Sequence, residues 1–391
     1  MADVYSLRNY GQMVNDATRT TPFITALEQA IIPGESVVLD IGTSFGFFSF
    51  VACQLGAAKV YAVESNKSIE VAKLCSRHSP YADRINWITG LSTEIELPEK
   101  VDIIVADLHG TLPFYDSNIA SIMDARKRFL KPGGRIMPMR DRIYAVPAQA
   151  FEEYEAVDSP WNSNPYGFDF SAGKRFVVNE WWRARADAVG EKSFLSSPRL
   201  WGEIDYGDVE SQNMDGEMSW IIERDGVLHG LYVWFDGQIA EGAGYSNAPN
   251  LPELVYGRAF FPMQEAVAVA IGDTVLVRMS ATVVDKETIY RWDTRISDSV
   301  GVPKAAFKQS TFKSRPLSVE DLRSVSEDYC SVLSEDGVIA HEVLTAMSEA
   351  KSLGQIASMV ATRFPDRFDS ASSAINHVSY LTRKFGKASN G

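Results

Sequence analysis

The feature that most constrains this chain is the stretch Val38-Leu39-Asp40-Ile41-Gly42-Thr43-Ser44-Phe45-Gly46. A short apolar run of strand type leads into a glycine-bearing loop that opens a helix, the context in which such a loop is informative about a ligand. Glycines let the backbone approach a bound group, and the helix N-terminus behind them favours anionic atoms. The next strand, Val60-Tyr61-Ala62-Val63, ends in Glu64 with Ser65 beside it, where an acid about 20 residues past the loop accepts hydrogen bonds from both hydroxyls of a ribose. Two nucleotide chemistries compete here. A pyrophosphate-binding loop wants three glycines as G-x-G-x-x-G, whereas this one reads D-x-G-x-x-x-G with Ser44 in the middle. The leading Asp40 repels a pyrophosphate and suits a cationic methionine moiety, so the reading is S-adenosylmethionine rather than NAD. Asp40, Gly42, Thr43, Gly46, Glu64, Ser65, Ser92 and Thr93 are the expected cofactor contacts. Ser92 and Thr93 enter through Gly90-Leu91-Ser92-Thr93-Glu94, a loop that passes the adenine in this topology; Glu94 reads equally as a solvated surface charge.

Strands alternate with helices from 36 to about 140, with Ile85-Asn86-Trp87-Ile88 and Ile103-Ile104-Val105 as further apolar runs. That alternation predicts a parallel sheet covered on both faces. Upstream, Thr21-Pro22 followed by Phe23, Ile24, Leu27, Ala30 and Ile31 reads as a helix entry. After Lys131-Pro132-Gly133-Gly134 the character changes to short strands and turns, such as the run from Gly226 to Gly237 and Asp273 to Val277, which predict an antiparallel barrel or sandwich. Beyond Pro316 three stripes follow: Ile339, Val343, Leu344, Met347; Ile356, Met359, Val360, Phe364; and Ile375, Val378, Leu381, Phe385. They predict a small helical domain of the winged-helix kind. It resembles loosely the small domains that recruit leader peptides in peptide-tailoring pathways, and reads otherwise as a bundle that caps or dimerises the chain. The division expected is 1–140 for the Rossmann-like cofactor domain with its N-terminal helices, 141–312 for the antiparallel domain, and 313–391 for the helical one.

The formal charge of −13 disfavours a nucleic-acid partner and steers in cations, although acidity also simply keeps a protein in solution. No apolar run is long enough to span a membrane, and the N-terminus lacks the features of a secretion signal, so a cytoplasmic location is expected. Three cysteines (Cys53, Cys75, Cys330) in no paired spacing exclude a disulfide scaffold. His78, His229, His341 and His377 have no partner at metal-ligand spacing, so no metal is expected.

The fourth strand runs into Ala106-Asp107-Leu108-His109-Gly110-Thr111-Leu112-Pro113-Phe114-Tyr115-Asp116. Ligands of an open α/β sheet sit outside the carboxyl ends of its strands, so Asp107 and Asp116, nine residues apart, can both face the pocket and hold a cation there. On these residues the chain resembles the protein arginine methyltransferase family over about residues 5–300. The family's acid pair, the second nine positions after the first, falls on Asp107 and Asp116, and its motif M-L-x-D-x-x-R-T on Met13-Val14-Asn15-Asp16-Ala17-Thr18-Arg19-Thr20. Trp161-Asn162-Ser163-Asn164-Pro165-Tyr166-Gly167-Phe168-Asp169 is similar to the stretch that begins its barrel, and 171–197 takes the place of its dimerisation arm. The resemblance implies that Arg19 pairs with the cofactor carboxylate, that Met13 lies near the sulfonium, and that the chain forms a homodimer. There are departures. Both family glutamates are aspartates, a threonine-histidine-tryptophan loop is replaced by Leu254-Val255-Tyr256, and His109 stands where the family has methionine.

An in-line displacement at a sulfonium carbon needs alignment and a free lone pair on the acceptor. A guanidine held between Asp107 and Asp116 is polarised so that one nitrogen attacks; an amine or phenol needs a base, for which His109 is the candidate, or else it is a histidine bonded to loop backbone. Tyr10 and Tyr256 are expected at the acceptor site, with Tyr5 and Tyr10 alternatively plain packing aromatics. The favoured reading is an N-methyltransferase acting on a cationic guanidine or amine of a small molecule or natural-product peptide. A protein arginine methyltransferase is the alternative, and a non-catalytic cofactor-binding or recruitment protein the third.

Overall fold

The computed structural model describes residues 6–115, 117–162, 165–184 and 191–386. Asp116, Tyr5 and residues 163–164 therefore lie outside the described residues, as does the middle of the expected arm. The chain divides into two compact units, Met1–Pro316 and Leu317–Gly391.

The first unit begins with two helices, α1 (Leu7–Asn15) and α2 (Ala17–Ala30). The second starts five residues earlier than Thr21-Pro22 predicts, because Asp16 takes the N-cap: its Oδ1 accepts the Arg19 amide at 3.3 Å and its Oδ2 the Val255 amide at 2.9 Å. A cap that satisfies an orphan amide outweighs the entry preference of proline, and Pro22 rides inside the helix. Five strands then form one sheet: β1 (Val37–Ile41), β2 (Lys59–Glu64), β3 (Ile85–Thr89), β4 (Val101–Val105) and β5 (Leu130–Met137). They run in the order β3-β2-β1-β4-β5, every pair parallel. The helices α3 (Phe47–Gln54), α4 (Ser68–Ser76) and α5 (Asn118–Phe129) make the crossovers. Strand β1 is buried at every position, as an interior parallel strand must be. The chain leaves β1 towards β2 on one side and reaches β4 on the other, so the crevice for a ligand opens at the β1/β4 switch point.

The rest of the unit is antiparallel, as expected. Strand β6 (Arg140–Ala148) leads through α6 (Phe151–Asn162) and α7 (Lys174–Val177) to β7 (Trp182–Arg183) and β8 (Arg199–Asp205). There follow β9 (Met214–Ile221), β10 (Gly226–Ala240), β11 (Ala243–Ser246), β12 (Ala259–Val269), β13 (Thr274–Val284), β14 (Glu287–Ser297) and β15 (Pro303–Ser310). One sheet has the order β7-β12-β10-β6-β8 with β11 on β10, and the other β15-β14-β13-β9. Their inner faces meet through tryptophans whose indole nitrogens reach across: Trp201 Nε1 donates to the Met279 carbonyl at 3.0 Å and Trp292 Nε1 to that of Pro262 at 2.9 Å. A buried indole is favoured where its N–H finds an acceptor, as in these two. Of the expected arm, 171–184 is tied to its own body: Ser310 N donates to Asn179 Oδ1 at 3.0 Å and Trp182 Nε1 to Glu153 at 2.9 Å.

The second unit holds α8 (Val319–Ser324), α9 (Glu335–Ser348), α10 (Leu353–Arg363) and α11 (Ala371–Phe385). Its described residues contain no strand, so the wing of a winged helix is not there. Its core is Ile339, Val343, Ala346, Ile356, Ala357, Val360, Phe368, Ala374, Val378 and Leu381. Leu344, Ile375 and Phe385, expected on the inner stripes, are exposed, and alanines take the inner positions because a small side chain lets the helices close up. Serines cap the ends, with capping boxes at Ser352 and Ser370. Ser352→Ala removes the cap of α10 and is expected to destabilise this unit by about 1 kcal/mol, read from the helical transition of the full chain in urea; an unchanged midpoint would show that the cap contributes nothing.

Candidate active site

A cavity of about 540 Å³ opens at the switch point, within the range of about 300–1,000 Å³ usual for ligand sites. The carboxyl ends of β1, β2, β3 and β4 supply its walls, joined by α1 and α2. Of the expected cofactor contacts, Met13, Arg19, Asp40, Gly42, Thr43, Glu64, Ser65, Ser92 and Thr93 all line it, with Tyr10, Asp107 and His109. Gly46 does not. It caps α3 behind the floor with φ +90°, and a Cβ there would stand 2.5 Å from the Trp87 ring. Gly42, at φ +71°, is needed because Leu108 of the acidic loop presses on it, 2.6 Å from where a Cβ would lie.

Each loop is held by its own polar chemistry. Asp40 Oδ2 accepts from the hydroxyls of Thr43 and Ser49, each at 2.6 Å, so this acid fixes the turn. Burial pushes its carboxyl up, against those two bonds, to about 6. Glu64 accepts the Ser44 amide at 2.9 Å and the Asn66 amide at 2.7 Å, which sets its carboxylate at the end of β2 facing the cavity. Among the described lining residues, Ser44 Oγ and Asn118 Nδ2 are buried polar atoms with no hydrogen-bond partner, and Asp107 Oδ2 has its ion pair with Arg19 but no hydrogen bond. Such atoms, a ribose-facing acid and an apolar wall of Ile41, Val63 and Leu91 fit the S-adenosylmethionine expected from sequence.

Past the cavity floor lies a buried cluster of charges. Asp107 makes an ion pair with Arg19, and its Oδ1 accepts from the Tyr256 hydroxyl at 2.6 Å and from His109 Nδ1 at 3.2 Å. Burial by itself would raise the Asp107 carboxyl, but Arg19 and the bonds from His109 and Tyr256 outweigh it and hold the acid well below the usual carboxylate range. Arg19 also donates Nε to the Tyr256 oxygen at 2.9 Å and a terminal nitrogen to the Met13 carbonyl at 3.0 Å. A guanidinium has five donors, so one N–H on each terminal nitrogen remains for a cofactor carboxylate.

His109 is placed differently from a general base. Its Nε2 lies 2.7 Å from Asp141 Oδ2, its Nδ1 is shared between Asp107 and the Tyr245 hydroxyl at 3.1 Å, and its ring stacks on Phe235 at 4.9 Å. Burial lowers its basicity, but the two carboxylates prevail and raise it to about 10. Two carboxylates facing its two nitrogens favour the protonated ring over a free base. Nor does Tyr256 face the cavity: it is buried behind Asp107, bridging that acid and Arg19, because Asn247 binds the loop around it through Phe235 N at 2.8 Å, Thr111 O at 3.2 Å and Gly257 O. Asp141, Tyr206 and Tyr245 were not foreseen. The one available signal was parity, since Asp141 shares the inward face of β6 with Ile143 and Ala145.

Residues 140–297 match the arginine methyltransferase oligomerization subdomain, and residues 17–139 the ribosomal protein L11 methyltransferase family. Protein arginine N-methyltransferase 8-B of Danio rerio is 26% identical over 272 residues, 68% of this chain and 64% of that protein. Probable protein arginine N-methyltransferase 6 of Arabidopsis thaliana is 29% identical over 251 residues, 62% of this chain and 56% of its own length. The chain thus spans about three fifths of the length of these relatives. Among solved structures it is similar to the Trypanosoma brucei PRMT1 enzyme-prozyme heterotetrameric complex with AdoHcy (TM-score 0.71, 21% identity, 77% of this chain and 96% of that one). It is also similar to Arabidopsis thaliana protein arginine methyltransferase 10 (TM-score 0.68, 21% identity, 78% and 97%). Two methyltransferase family models thus match adjoining parts of the chain, and its first unit has the fold of the protein arginine methyltransferases it resembles.

Proposed function

We propose that the chain uses S-adenosylmethionine to methylate a guanidine nitrogen of arginine in a protein or peptide. The observation that carries this reading is the switch-point cavity that ends on Asp107, a buried acid kept ionised by its surroundings. Bound cofactor supplies an electrophilic methyl group on a sulfonium. The chain's own residues do the rest. Glu64 receives the ribose hydroxyls, and Arg19 spends its two remaining N–H groups on the methionine carboxylate. An ionised carboxylate takes about four hydrogen bonds, and Asp107 uses three of those positions within the fold. The fourth is available to one N–H of the acceptor guanidinium, whose charge it offsets. Asp116 is proposed as the second acid of that grip. With no base free among the described residues of the cluster, the acceptor's proton leaves to solvent after transfer.

A second reading keeps the mechanism and changes the acceptor to a small guanidine or amine. It is favoured by the loop at Leu254-Val255-Tyr256: the Val255 amide serves the helix-cap acid Asp16, and the Tyr256 hydroxyl closes over Asp107, so the acceptor side is built from other groups than the family's. Labelled methyl from S-adenosylmethionine, offered to arginine peptides and proteins and separately to free arginine and small amines, decides between them. Label on arginine within peptides supports the first reading, label on small guanidines alone the second, and label on neither with cofactor bound counts against both.

Glu64→Gln keeps the side chain's shape but halves its acceptor capacity. It is expected to weaken cofactor binding about 10- to 100-fold, measured by calorimetry; unchanged affinity would mean that the ribose lies elsewhere. Assembly into a dimer is likewise proposed, supported by the match to an oligomerization subdomain and by the exposed aromatics Phe151, Tyr166, Phe168 and Phe170. Light scattering of the purified chain tests it, a monomer being the contrary result.

A further inference from the structure

Asp141 takes no part in lining the cavity, yet it is fully buried and makes the shortest contact that His109 has. An acid in such a place is costly unless its charge is compensated. We propose that Asp141 is a positioning residue for methyl transfer: acting through His109, it fixes the rotation of the Asp107 carboxylate that faces the cavity.

The argument is one of donors and acceptors. Tyr206 donates its hydroxyl to Asp141 Oδ2 at 2.6 Å, so that oxygen is an acceptor on both sides, and His109 Nε2 must carry a hydrogen. Asp107 Oδ1 is an acceptor only, so the 3.2 Å contact with His109 Nδ1 is favourable when that nitrogen carries a hydrogen and the Tyr245 hydroxyl beside it takes the acceptor role. Both nitrogens face carboxylates, and only the doubly protonated ring satisfies both. A neutral ring would set a nitrogen lone pair against one carboxylate and push it away. Asp141 removes that choice. It holds the proton on the ring, and the ring holds Asp107 Oδ1 from the side opposite Arg19. No proton moves during turnover.

The charges around the ring are few and balanced. From the acidic loop comes Asp107, from β6 Asp141, and from α2 Arg19 behind Asp107. Tyr206 after β8, Tyr245 on β11 and Tyr256 supply hydroxyls, and burial raises each of these phenols, so none of them ionises near neutral pH. Asp236 on β10 is a further acid near Asp141, itself raised by burial. With the imidazolium, the four central groups sum to zero: Arg19 and His109 against Asp107 and Asp141.

The inference deepens the methyl-transfer reading and rests on it for one of two readouts. The first readout does not depend on any acceptor. In the full chain labelled with nitrogen-15 histidine, His109, assigned by comparison with His109→Gln, is expected to show both ring nitrogens protonated and unchanged from about pH 6 to 9. A ring that titrates near its ordinary value of about 6.5 overturns the proposal. The second readout uses Asp141→Asn, which stays neutral overall once the ring gives up its proton and so is compatible with folding. In this variant the His109 signals are expected to titrate within that window. Methyl transfer at pH 8 to 9 should fall about 10- to 100-fold, with recovery towards acid pH as the ring regains its proton and with cofactor affinity unchanged. Tyr206→Phe, which removes Asp141's other donor, is expected to shift the same profile in the same direction by only a few-fold. A flat profile with wild-type turnover in Asp141→Asn overturns the positioning role and leaves the methyl-transfer reading standing. Absence of label on every acceptor with the wild-type chain counts against that reading alone, and the nitrogen-15 result still decides this one.

Discussion

Asp107→Asn is expected to lower methyl transfer by about 10²–10³-fold while cofactor affinity changes by no more than a few-fold. Asparagine keeps the shape of the side chain at the end of β4 and gives up its charge. Its single carbonyl oxygen offers about two acceptor positions in place of the carboxylate's four, and its amide would set donors against Arg19. The stabilisation lost is the part that grows as charge redistributes in the guanidine during attack, so turnover suffers more than acceptor binding. Calorimetric binding of S-adenosylmethionine beside turnover of labelled methyl separates the effects. Wild-type turnover would sink the assignment of Asp107 as the acid that grips the acceptor. Loss of cofactor binding in equal measure would make it a cofactor residue only.

This expectation needed both levels of reading, and the division between them is physical. The cofactor half of the site is local. Gly42, Glu64 and Ser92 each lie at or just past the carboxyl end of a strand, so strand order alone converges them at the switch point, and a motif read along the chain suffices. The acceptor half is built from long-range contacts. His109 meets Asp141 32 residues on and Tyr245 136 residues on, and nothing in its own loop distinguishes an imidazolium clamped between acids from a free base. The same holds for Tyr256, whose orientation is decided by Asn247 and by an ion pair on the other side of the cleft. In the helical unit the stripes gave the helices but misjudged their inner faces, because periodicity weights large apolar residues whereas close packing selected Ala346, Ala357 and Ala374. Helix α2 was misjudged at its start for a similar reason: the capping value of Asp16 depends on its bond to Val255, which the sequence alone does not reveal.

Arg19→Met should be the most damaging single substitution in the cofactor domain, destabilising the fold by about 3–5 kcal/mol and abolishing cofactor retention. Methionine fills a similar volume without the charge, so packing is largely kept while Asp107, Tyr256 and the Met13 carbonyl all lose their donor. The destabilisation must depend on pH, with a sign fixed by the cluster. Asp107 has a folded carboxyl well below its ordinary value, so the stability it contributes is present above about pH 4 and is lost on acidification. His109 is raised, so its contribution is complete below about pH 6.5 and is lost as pH climbs towards its folded value of about 10. Wild-type stability should therefore peak between these limits and decline on the alkaline side. Without Arg19 the Asp107 carboxyl is no longer depressed by its strongest partner, so the variant has less to lose on acidification. The gap between wild type and Arg19→Met, measured by urea unfolding across pH, should be widest near neutrality and narrow below about pH 4. A gap that stayed constant through that range would mean that Arg19 stabilises by packing alone. The charge balance of Arg19 and His109 against Asp107 and Asp141 would then have no energetic basis.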